Sequence, residues 1–330
     1  MTFLLFYGKI LWYKSEATAL AGGMKRGSVM YHVLYNPLSG NGRGYDAALV
    51  LRTELKDQEI AFSDIREVRS WKRLLEELPE SDSLVIAGGD GTLQRFLQST
   101  EGLAYPPRLF YFATGYENNF QRDTSPKGSC LIPLGSYLAD LPFVTVKRTT
   151  RRFLNGIAFG LDSYCCAVGD LHRRESDDPV KYTWITVKAV LLGYRPTRAT
   201  VTVDGKVHRF RQVWLAPTLN GRFYGCGVMM APEQDRLNSK GCLSVVVLHG
   251  TGLLKTLWLL PSLFKGTHLR HEDSITVLTG NDIRVAFNRP TVLQIDGETV
   301  RDVTEYHACR PHGTEQEENI KTNFVGGSMI

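Results

Sequence analysis

The segment SLVIAGGDGTLQRFLQST, residues 83–100, constrains the fold more than any other. An apolar run of β-type residues ends in Gly88, Gly89, Asp90, Gly91 and Thr92, and a helix-patterned run follows at once. A buried strand that passes straight into a helix through a glycine loop belongs to a parallel sheet, whose strands are joined by helical crossovers. The same order recurs along the first half of the chain. MYHVLYNP reads as a strand ended by Pro37, and LSGNGRG as a glycine loop. YDAALVLRTELKDQ reads as a helix with Ala47, Val50, Leu51 and Leu55 on its apolar side. IAFSDI is a second strand, Ser70 an N-cap for WKRLLEELP, and RLFYFAT a fourth strand. This alternation predicts an α/β, Rossmann-like domain over residues 30–142.

After residue 142 the pattern changes. FVTVKRTTRRFLNGIAFG, RATVTVDGKVHRFRQVWLAP, GCLSVVVLHG, SITVLTG, DIRVAFN and TVLQIDGETV are β-type runs separated by turn signals. Asp204-Gly205, between alternating runs, is a hairpin signal. An antiparallel β-sandwich over residues 143–309 is expected, interrupted by helical stretches near 179–193 and 251–264. A chain of 330 residues suits two such domains. Residues 1–29 read as an extension and 310–330 as a polar tail. TFLLFYGKILWY is broken by Lys9 and too short to span a bilayer, and no basic region precedes it. Met24 and Met30 are alternative starts.

With 39 Lys and Arg against 34 Asp and Glu, the formal net charge is +5. No long basic block indicates a nucleic-acid arm, so no nucleic-acid partner is expected. The mild positive excess suits an anionic small molecule or an anionic membrane surface. The six cysteines form no CxxC pair and, with the eight histidines, no zinc-ligand spacing. They read as reduced thiols of a cytoplasmic protein. His32 and His249 lie in apolar runs and read as core or loop residues.

The two glycine loops carry the chemistry. Ligands of open parallel sheets bind beyond the carboxyl ends of the strands. Glycine allows positive φ and close backbone approach, and helix N-terminal amides attract phosphate. Residues 88–92 therefore read as a phosphate cradle, with Thr92 expected to cap the helix. Asp90 makes sense there if it meets a metal-bound phosphate or a substrate hydroxyl. The plainer alternative is a turn with a capping Asp. The first loop, NPLSGNGRG, offers Asn36, Ser39, Gly40 and Arg43 to an anion. It is neither a Walker A loop nor a GxGxxG fingerprint.

NPLSGNGRG together with GGDGT resembles the diacylglycerol kinase catalytic-domain superfamily, which includes bacterial lipid kinases, sphingosine kinases and ceramide kinases. The resemblance spans roughly residues 30–305. NGRFYGCGVMMAP at 220–232 is similar to the family's Asn-Gly…Gly-Gly-Gly-Met…Ala-Pro segment, LFKGTHLRH at 263–271 to its Lys-Gly-x-His segment, and QIDGE at 294–298 to its Asp-Gly-Glu motif. The chain also departs from the pattern. The family's Gly-Thr-Gly-Asn-Asp-Phe-Ala-Arg segment is met by ATGYENNFQRD, where Thr114, Gly115, Asn118, Phe120 and Arg122 match if Tyr116-Glu117 is an insertion. Arg95 stands where a Glu is frequent. Ser239, Lys240 and Ser244 replace acidic metal contacts, so no structural metal is expected there, although Asp235 keeps one open.

The resemblance implies an active site between a nucleotide domain and a β-sandwich. It implies ATP and Mg²⁺ as cofactors and a lipid hydroxyl, diacylglycerol-like or sphingoid, as phosphoryl acceptor at a membrane surface. The nucleotide would be held by Asn36, Ser39, Gly40, Arg43, Gly88, Gly89, Asp90, Gly91, Thr92, Thr114, Gly115 and Asn118. Asp296 would orient or deprotonate the acceptor, with Asp90 close to the same centre and Glu298 assisting through metal or water. A metal-ligand set is not defined by the sequence. The implied location is cytoplasmic with peripheral membrane association, and a homodimer is compatible with it. A soluble-substrate kinase like the NAD kinases, which share GGDGT, is the alternative enzyme. A nucleotide-binding protein with little catalysis is the alternative class, suggested by Arg95 and the altered 113–123 loop.

Overall fold

The computed structural model describes residues 29–310, apart from 116–117, 126–128, 176–184, 187, 190, 192–193 and 226. The expectations for most of the extension, for the tail, for the Tyr116-Glu117 insertion and for much of the 179–193 stretch lie outside the described residues.

The first half forms a five-stranded sheet in the order β2-β1-β3-β4-β5. Its strands are β1 (Met30–Tyr35), β2 (Glu59–Asp64), β3 (Ser83–Gly88), β4 (Leu109–Ala113) and β5 (Ile132–Pro133). β1 pairs in parallel with both β2 and β3, β3 pairs in parallel with β4, and only β5 runs antiparallel. All six residues of β3 are buried, as a strand covered on both faces requires. This order reverses between β1 and β3, and a ligand crevice is expected at that switch point. Both glycine loops leave the sheet there, and the Asn36 amide donates to the Ala87 carbonyl at 2.9 Å.

Local chemistry explains the helices. Ser70 caps Trp71–Glu77, its hydroxyl accepting from the Arg73 amide at 3.3 Å. The segment after the first loop is not one helix but the short turns Gly44–Ala48 and Leu51–Glu54. Ala48 and Leu51 are its buried apolar side chains, while Val50, expected on the apolar side, is exposed. The helix Asp90–Ser99 begins at Asp90 itself with Gly89 as N-cap. Thr92, expected to cap it, lies inside the first turn, where its hydroxyl accepts from Asn36 Nδ2 at 2.7 Å.

The second half is an antiparallel sandwich. Its strands are β6 (Phe143–Val146), β7 (Thr149–Arg152), β8 (Gly156–Phe159), β9 (Thr197–Val203), β10 (Lys206–Val213), β11 (Thr218–Leu219), β12 (Phe223–Tyr224), β13 (Val228–Met229), β14 (Leu243–Leu248), β15 (Ile275–Gly280), β16 (Asp282–Ile295) and β17 (Glu298–Cys309). Apart from the small β12–β13 hairpin they form one sheet, in which β16 pairs with β17 along its length, with β9 at one end and β8 at the other. The β16–β17 register shifts between Ala286 and Thr291, around Pro290, which has no amide to donate. That bend lets one strand serve both layers. Between them Phe159 stacks on Phe287 at 4.3 Å, beside Val201, Val285 and Tyr306. Asp204-Gly205 forms the β9–β10 hairpin and Asp296-Gly297 the β16–β17 hairpin.

Candidate active site

Three loops meet at the crevice, and they fit because side chains are missing. Gly40 has φ +57°, and a Cβ there would lie 2.7 Å from the Thr114 carbonyl. A Cβ on Gly44 would strike the Asn36 carbonyl, and one on Gly88 the Thr92 side chain. A Cβ on Gly115 would lie 2.8 Å from the Gly89 Cα and 2.7 Å from Asn118 Oδ1. Gly89 is less confined, with a Cβ only 3.5 Å from the Gly115 Cα. Side chains bind the same loops together. Ser39 Oγ donates to the Asn36 carbonyl at 2.9 Å and lies 2.6 Å from Thr114 Oγ1. Asn118 Nδ2 donates to the Gly115 carbonyl at 2.8 Å, while buried Asn118 Oδ1 has no partner. Of the residues expected to hold a nucleotide, Asn36, Ser39, Gly40, Gly88, Gly89, Asp90, Thr92, Thr114, Gly115 and Asn118 are therefore gathered at one place. Arg43 and Gly91 lie exposed on the same loops.

Asp90 is half-buried and reaches into the seam between the domains. Its Oδ2 accepts from the Asn119 amide at 2.8 Å, the Phe120 amide at 3.3 Å and Asn155 Nδ2 at 3.1 Å. Burial pushes its pKa up to about 6, aided by the Asp296 charge and opposed by the Phe120 and Asn119 amides and by Arg236.

Asp296 reaches the same point from the sandwich. It occupies the left-handed region at φ +48°. Its Oδ2 accepts from the Leu154 amide at 2.6 Å, and its Oδ1 from the Asn155 and Gly156 amides at 2.7 and 3.0 Å. Burial raises its pKa as well, against those amides and Arg236. Glu298 lies outside this cluster. It is exposed at the rim, paired with Arg151 Nη1 at 2.6 Å and approached by Gln98 Nε2 at 3.4 Å.

Asn155 and Arg236 join the two carboxylates, and neither was marked in the sequence. The Asn155 amide binds Asp296, its Nδ2 binds Asp90, and its Oδ1 accepts from Arg236 Nη2 at 2.6 Å. Arg236 is buried. It donates to the Leu154 carbonyl at 2.6 Å, pairs with Asp123, and lies 5.0 Å over the Phe120 ring. Arg222 Nε holds the other Asp123 oxygen at 2.7 Å, and Asn220 Nδ2 holds the Leu154 carbonyl at 2.9 Å. Asp123 and Phe120 belong to the short helix Asn119–Thr124 that Asp90 caps. A cavity of about 270 Å³, lined in part by Asp123, Tyr137, Arg222, Pro232 and Arg236, opens beside this network. Among the described residues no group of three or more His, Cys, Asp or Glu could hold a metal ion. Asp235 Oδ1 is taken by the Leu237 amide, and Ser244 Oγ donates to Gln234. Among the described residues no disulfide joins the cysteines.

Comparison with known proteins gives the same architecture. Residues 30–136 match the diacylglycerol kinase catalytic domain, and residues 155–315 match the YegS C-terminal NAD kinase beta sandwich-like domain. The chain belongs to the diacylglycerol kinase catalytic-domain superfamily. Within this superfamily it is 27% identical over 269 residues to the diacylglycerol kinase of Mycobacterium tuberculosis (strain ATCC 25618 / H37Rv), an alignment covering 78% of this chain and 85% of that one. It is 24% identical over 236 residues to YtlR of Bacillus subtilis (strain 168), named as a candidate lipid kinase, covering 65% and 73% of the two chains. The crystal structure of a candidate diacylglycerol kinase from Bacillus anthracis str. Sterne superposes on 88% of this chain and 96% of that one, with a TM-score of 0.57 at 17% identity. That last likeness bears on the fold alone.

Proposed function

We propose that this protein is an ATP-dependent lipid kinase, which transfers the γ-phosphoryl group to the hydroxyl of a diacylglycerol-like or sphingoid acceptor. One observation carries the reading. Two carboxylates from opposite domains, Asp90 and Asp296, converge on Asn155 beside three glycine loops. The names of the curated relatives support the lipid acceptor.

The residues suit a nucleotide. The loops leave no room for Cβ atoms at Gly40, Gly44, Gly88 and Gly115, which lets the three loops pack closely, while a Cβ on Gly42 or Gly91 would meet nothing within 4 Å, so the backbone there is open to phosphate. The unpartnered Asn118 Oδ1 can accept from a ribose hydroxyl or an adenine amino group. Magnesium, when bound, supplies charge neutralisation on the transferred phosphoryl group. Asp90 is the carboxylate that would hold it. Phosphoryl transfer asks the protein mainly to position groups and stabilise charge. Asp296 has lone-pair capacity left after three amides, and its raised pKa makes it a stronger base toward the acceptor proton. Asn155 and Arg236 fix the distance between the two carboxylates. Glu298, paired with Arg151, holds the rim.

The test is transfer of label from γ-labelled ATP to a panel of diacylglycerol, monoacylglycerol, sphingosine, undecaprenol and NAD. Label on a lipid presented in micelles or vesicles is the expected result. Label on NAD and on no lipid would move the assignment to the soluble-substrate kinases. Nucleotide placement is tested apart from turnover. Gly115→Ala should weaken ATP binding at least about tenfold, because the new methyl pushes on Gly89 and Asn118. Gly89→Ala, with ordinary contacts, should weaken it less, and equal affinities would displace the nucleotide from this crevice.

A further inference from the structure

The helix Leu253–Lys265 buries Thr256, Leu259 and Leu263, and its two buried leucines pack with Trp214, Leu219 and Leu248 of the sandwich. Its opposite face carries Leu254, Trp258, Pro261 and Phe264, at spacings of four, three and three residues, which form one stripe. Leu254 is 81% exposed and Trp258 66% exposed. A surface helix ordinarily turns charged and polar residues outward. This one turns its largest apolar residues outward, and it contains no acidic residue.

The surrounding charges complement an anionic surface. Lys255 and Lys265 are exposed on the helix, and Arg270 follows it. Arg211 lies at its start, where the Arg211 carbonyl accepts from the Gly250 amide at 3.1 Å. Against these stand Glu272 and Asp273, the latter paired with Lys255. Trp258 is held edge-on to His271, with ring centroids 5.1 Å apart. Tryptophan is enriched at membrane interfaces, where one end of its ring system is apolar and the other wet.

The stripe is also tied to the seam. A Cβ on Gly266 would lie 2.7 Å from Met229 Sδ and 3.1 Å from Pro232 Cγ, and His268 Nε2 lies 2.9 Å from the Met230 carbonyl. Pro232 lines the cavity that Asp123, Arg222 and Arg236 share. Four side chains on one short helix fall well short of the about 800 Å² per partner that a stable protein interface buries.

We propose that the Leu253–Lys265 helix docks the protein on an anionic bilayer, lying in the plane of the surface with Leu254, Trp258, Pro261 and Phe264 at the boundary of headgroups and acyl chains. The inference deepens the lipid-kinase reading, since it presents the seam to a membrane-borne acceptor.

The experiment is co-sedimentation with phosphatidylcholine vesicles, with and without phosphatidylglycerol, in the absence of nucleotide. Wild type should sediment with the anionic vesicles. Leu254→Ser/Trp258→Ser/Phe264→Ser changes only exposed positions, so its fold is checked by circular dichroism, and its partitioning should fall at least about tenfold. Lys265→Gln/Arg270→Gln should lower it several-fold, and added salt should reproduce that loss. Equal sedimentation of wild type and the triple variant, or no sedimentation of wild type, overturns the proposal. So does a wild-type dimer that the triple substitution splits, because a second copy would then cover the stripe. Vesicle binding that depends on the stripe, without phosphorylation of any lipid, would sustain docking and remove the lipid-kinase reading.

Discussion

The sandwich contains two Asp-Gly hairpins that are nearly the same object locally. Asp204 and Asp296 have φ of +47° and +48°, and Gly205 and Gly297 follow with φ of +81° and +92°. Each pair closes a hairpin between long antiparallel strands, as left-handed tolerance of Asp and Gly allows. Each carboxylate also clamps a neighbouring segment. Asp204 Oδ1 accepts from the Asn281 and Asp282 amides at 3.0 and 2.9 Å, much as Asp296 holds residues 154–156. The difference lies in what stands opposite. Asp204 faces water, whereas Asp296 shares Asn155 with a second carboxylate and feels the charge of a buried arginine. The turn comes from the dipeptide, and the chemistry comes from the neighbour across the seam.

The sharpest way to break that contrast is Asp296→Asn. If the half-buried Asp296 orients or deprotonates the acceptor, kcat should fall about 10²–10⁴-fold, the range of general-base catalysis. The amide supplies one oxygen where the carboxylate supplied two, so one of the three clamped amides meets an NH₂ group. A stability loss of roughly 1–3 kcal/mol should accompany the change, read by denaturant unfolding. Activity is therefore compared at a temperature where both proteins are folded. Activity retained in full would reduce Asp296 to the structural role that Asp204 plays.

Next in size is the buried cation that only one of the turns possesses. Arg236→Met keeps the length and apolar stem but leaves Asn155 Oδ1 without its donor and the buried Asp123 with Arg222 as its one cationic partner. Removing one partner of a buried pair destabilises by about 3–5 kcal/mol. Arg222→Met removes a half-exposed partner from the same Asp123 and should cost less than about 1 kcal/mol. Equal losses in thermal or denaturant unfolding would show that Arg236 is not the residue holding the seam.

The two sides of the seam were not equally legible in the sequence. Glycine loops are local, and a crevice that excludes side chains writes itself as Gly40, Gly44, Gly88 and Gly115 next to recognisable strands. Strand and helix alternation likewise pointed to a parallel sheet built from β1 to β4, because burial on both faces forces apolar runs, while the order β2-β1-β3-β4 is set by pairing that no single segment encodes. The sandwich side is assembled from single residues far apart in the chain. Asn155 reads only as part of an Asn-Gly turn signal, and Arg236 as one charge in a polar loop, since their partners Asp90, Asp123 and Asp296 carry no periodic relation to them. Arg222 lay inside a quoted motif without a role. The exposure of Val50, expected beside Leu51 on the apolar side of residues 45–58, has a different cause. Ala48 and Leu51 point inward because the chain breaks into two short turns, which apolar spacing alone does not reveal.

Titration separates the seam from the exposed hairpin by a smaller margin. Burial raises Asp90 to about 6, above its ordinary 3.8. A raised acid stabilises the folded state fully below the unfolded pKa, and that contribution is lost as pH rises through the folded value. The window is therefore about pH 4 to 6. Asp90→Asn should be more stable than wild type near pH 7 by roughly 1–3 kcal/mol, and the gap should close as pH falls toward about 4. The substitution is tolerable because the close bonds from Asn119 and Asn155 end on one oxygen, which an amide can supply. Wild-type kcat/KM should run the other way, falling as pH drops through about 6, because a protonated Asp90 no longer offers its charge to the site. A stability gap unaffected by pH would mean that Asp90 is solvated rather than buried.

The smallest effect belongs to Asp204→Asn, and it is small for reasons the hairpin itself supplies. Asn tolerates the left-handed conformation as Asp does, so the turn at φ +47° is kept. Both clamped amides, of Asn281 and Asp282, end on Oδ1 alone, and the amide oxygen of Asn can take that place without turning its NH₂ group toward a donor. The bonds are exposed, so the lost charge is screened, and stability should change by less than about 1 kcal/mol. The turn meets β16 at Asp282, the end of that strand opposite to Asp296, so kcat and ATP affinity should match wild type within error. Asp296→Asn, made in the same background and measured on the same day, should differ in both respects. If Asp204→Asn lowers kcat as far as Asp296→Asn does, the sandwich transmits strain from any Asp-Gly turn, and position at the seam loses its claim to explain the chemistry.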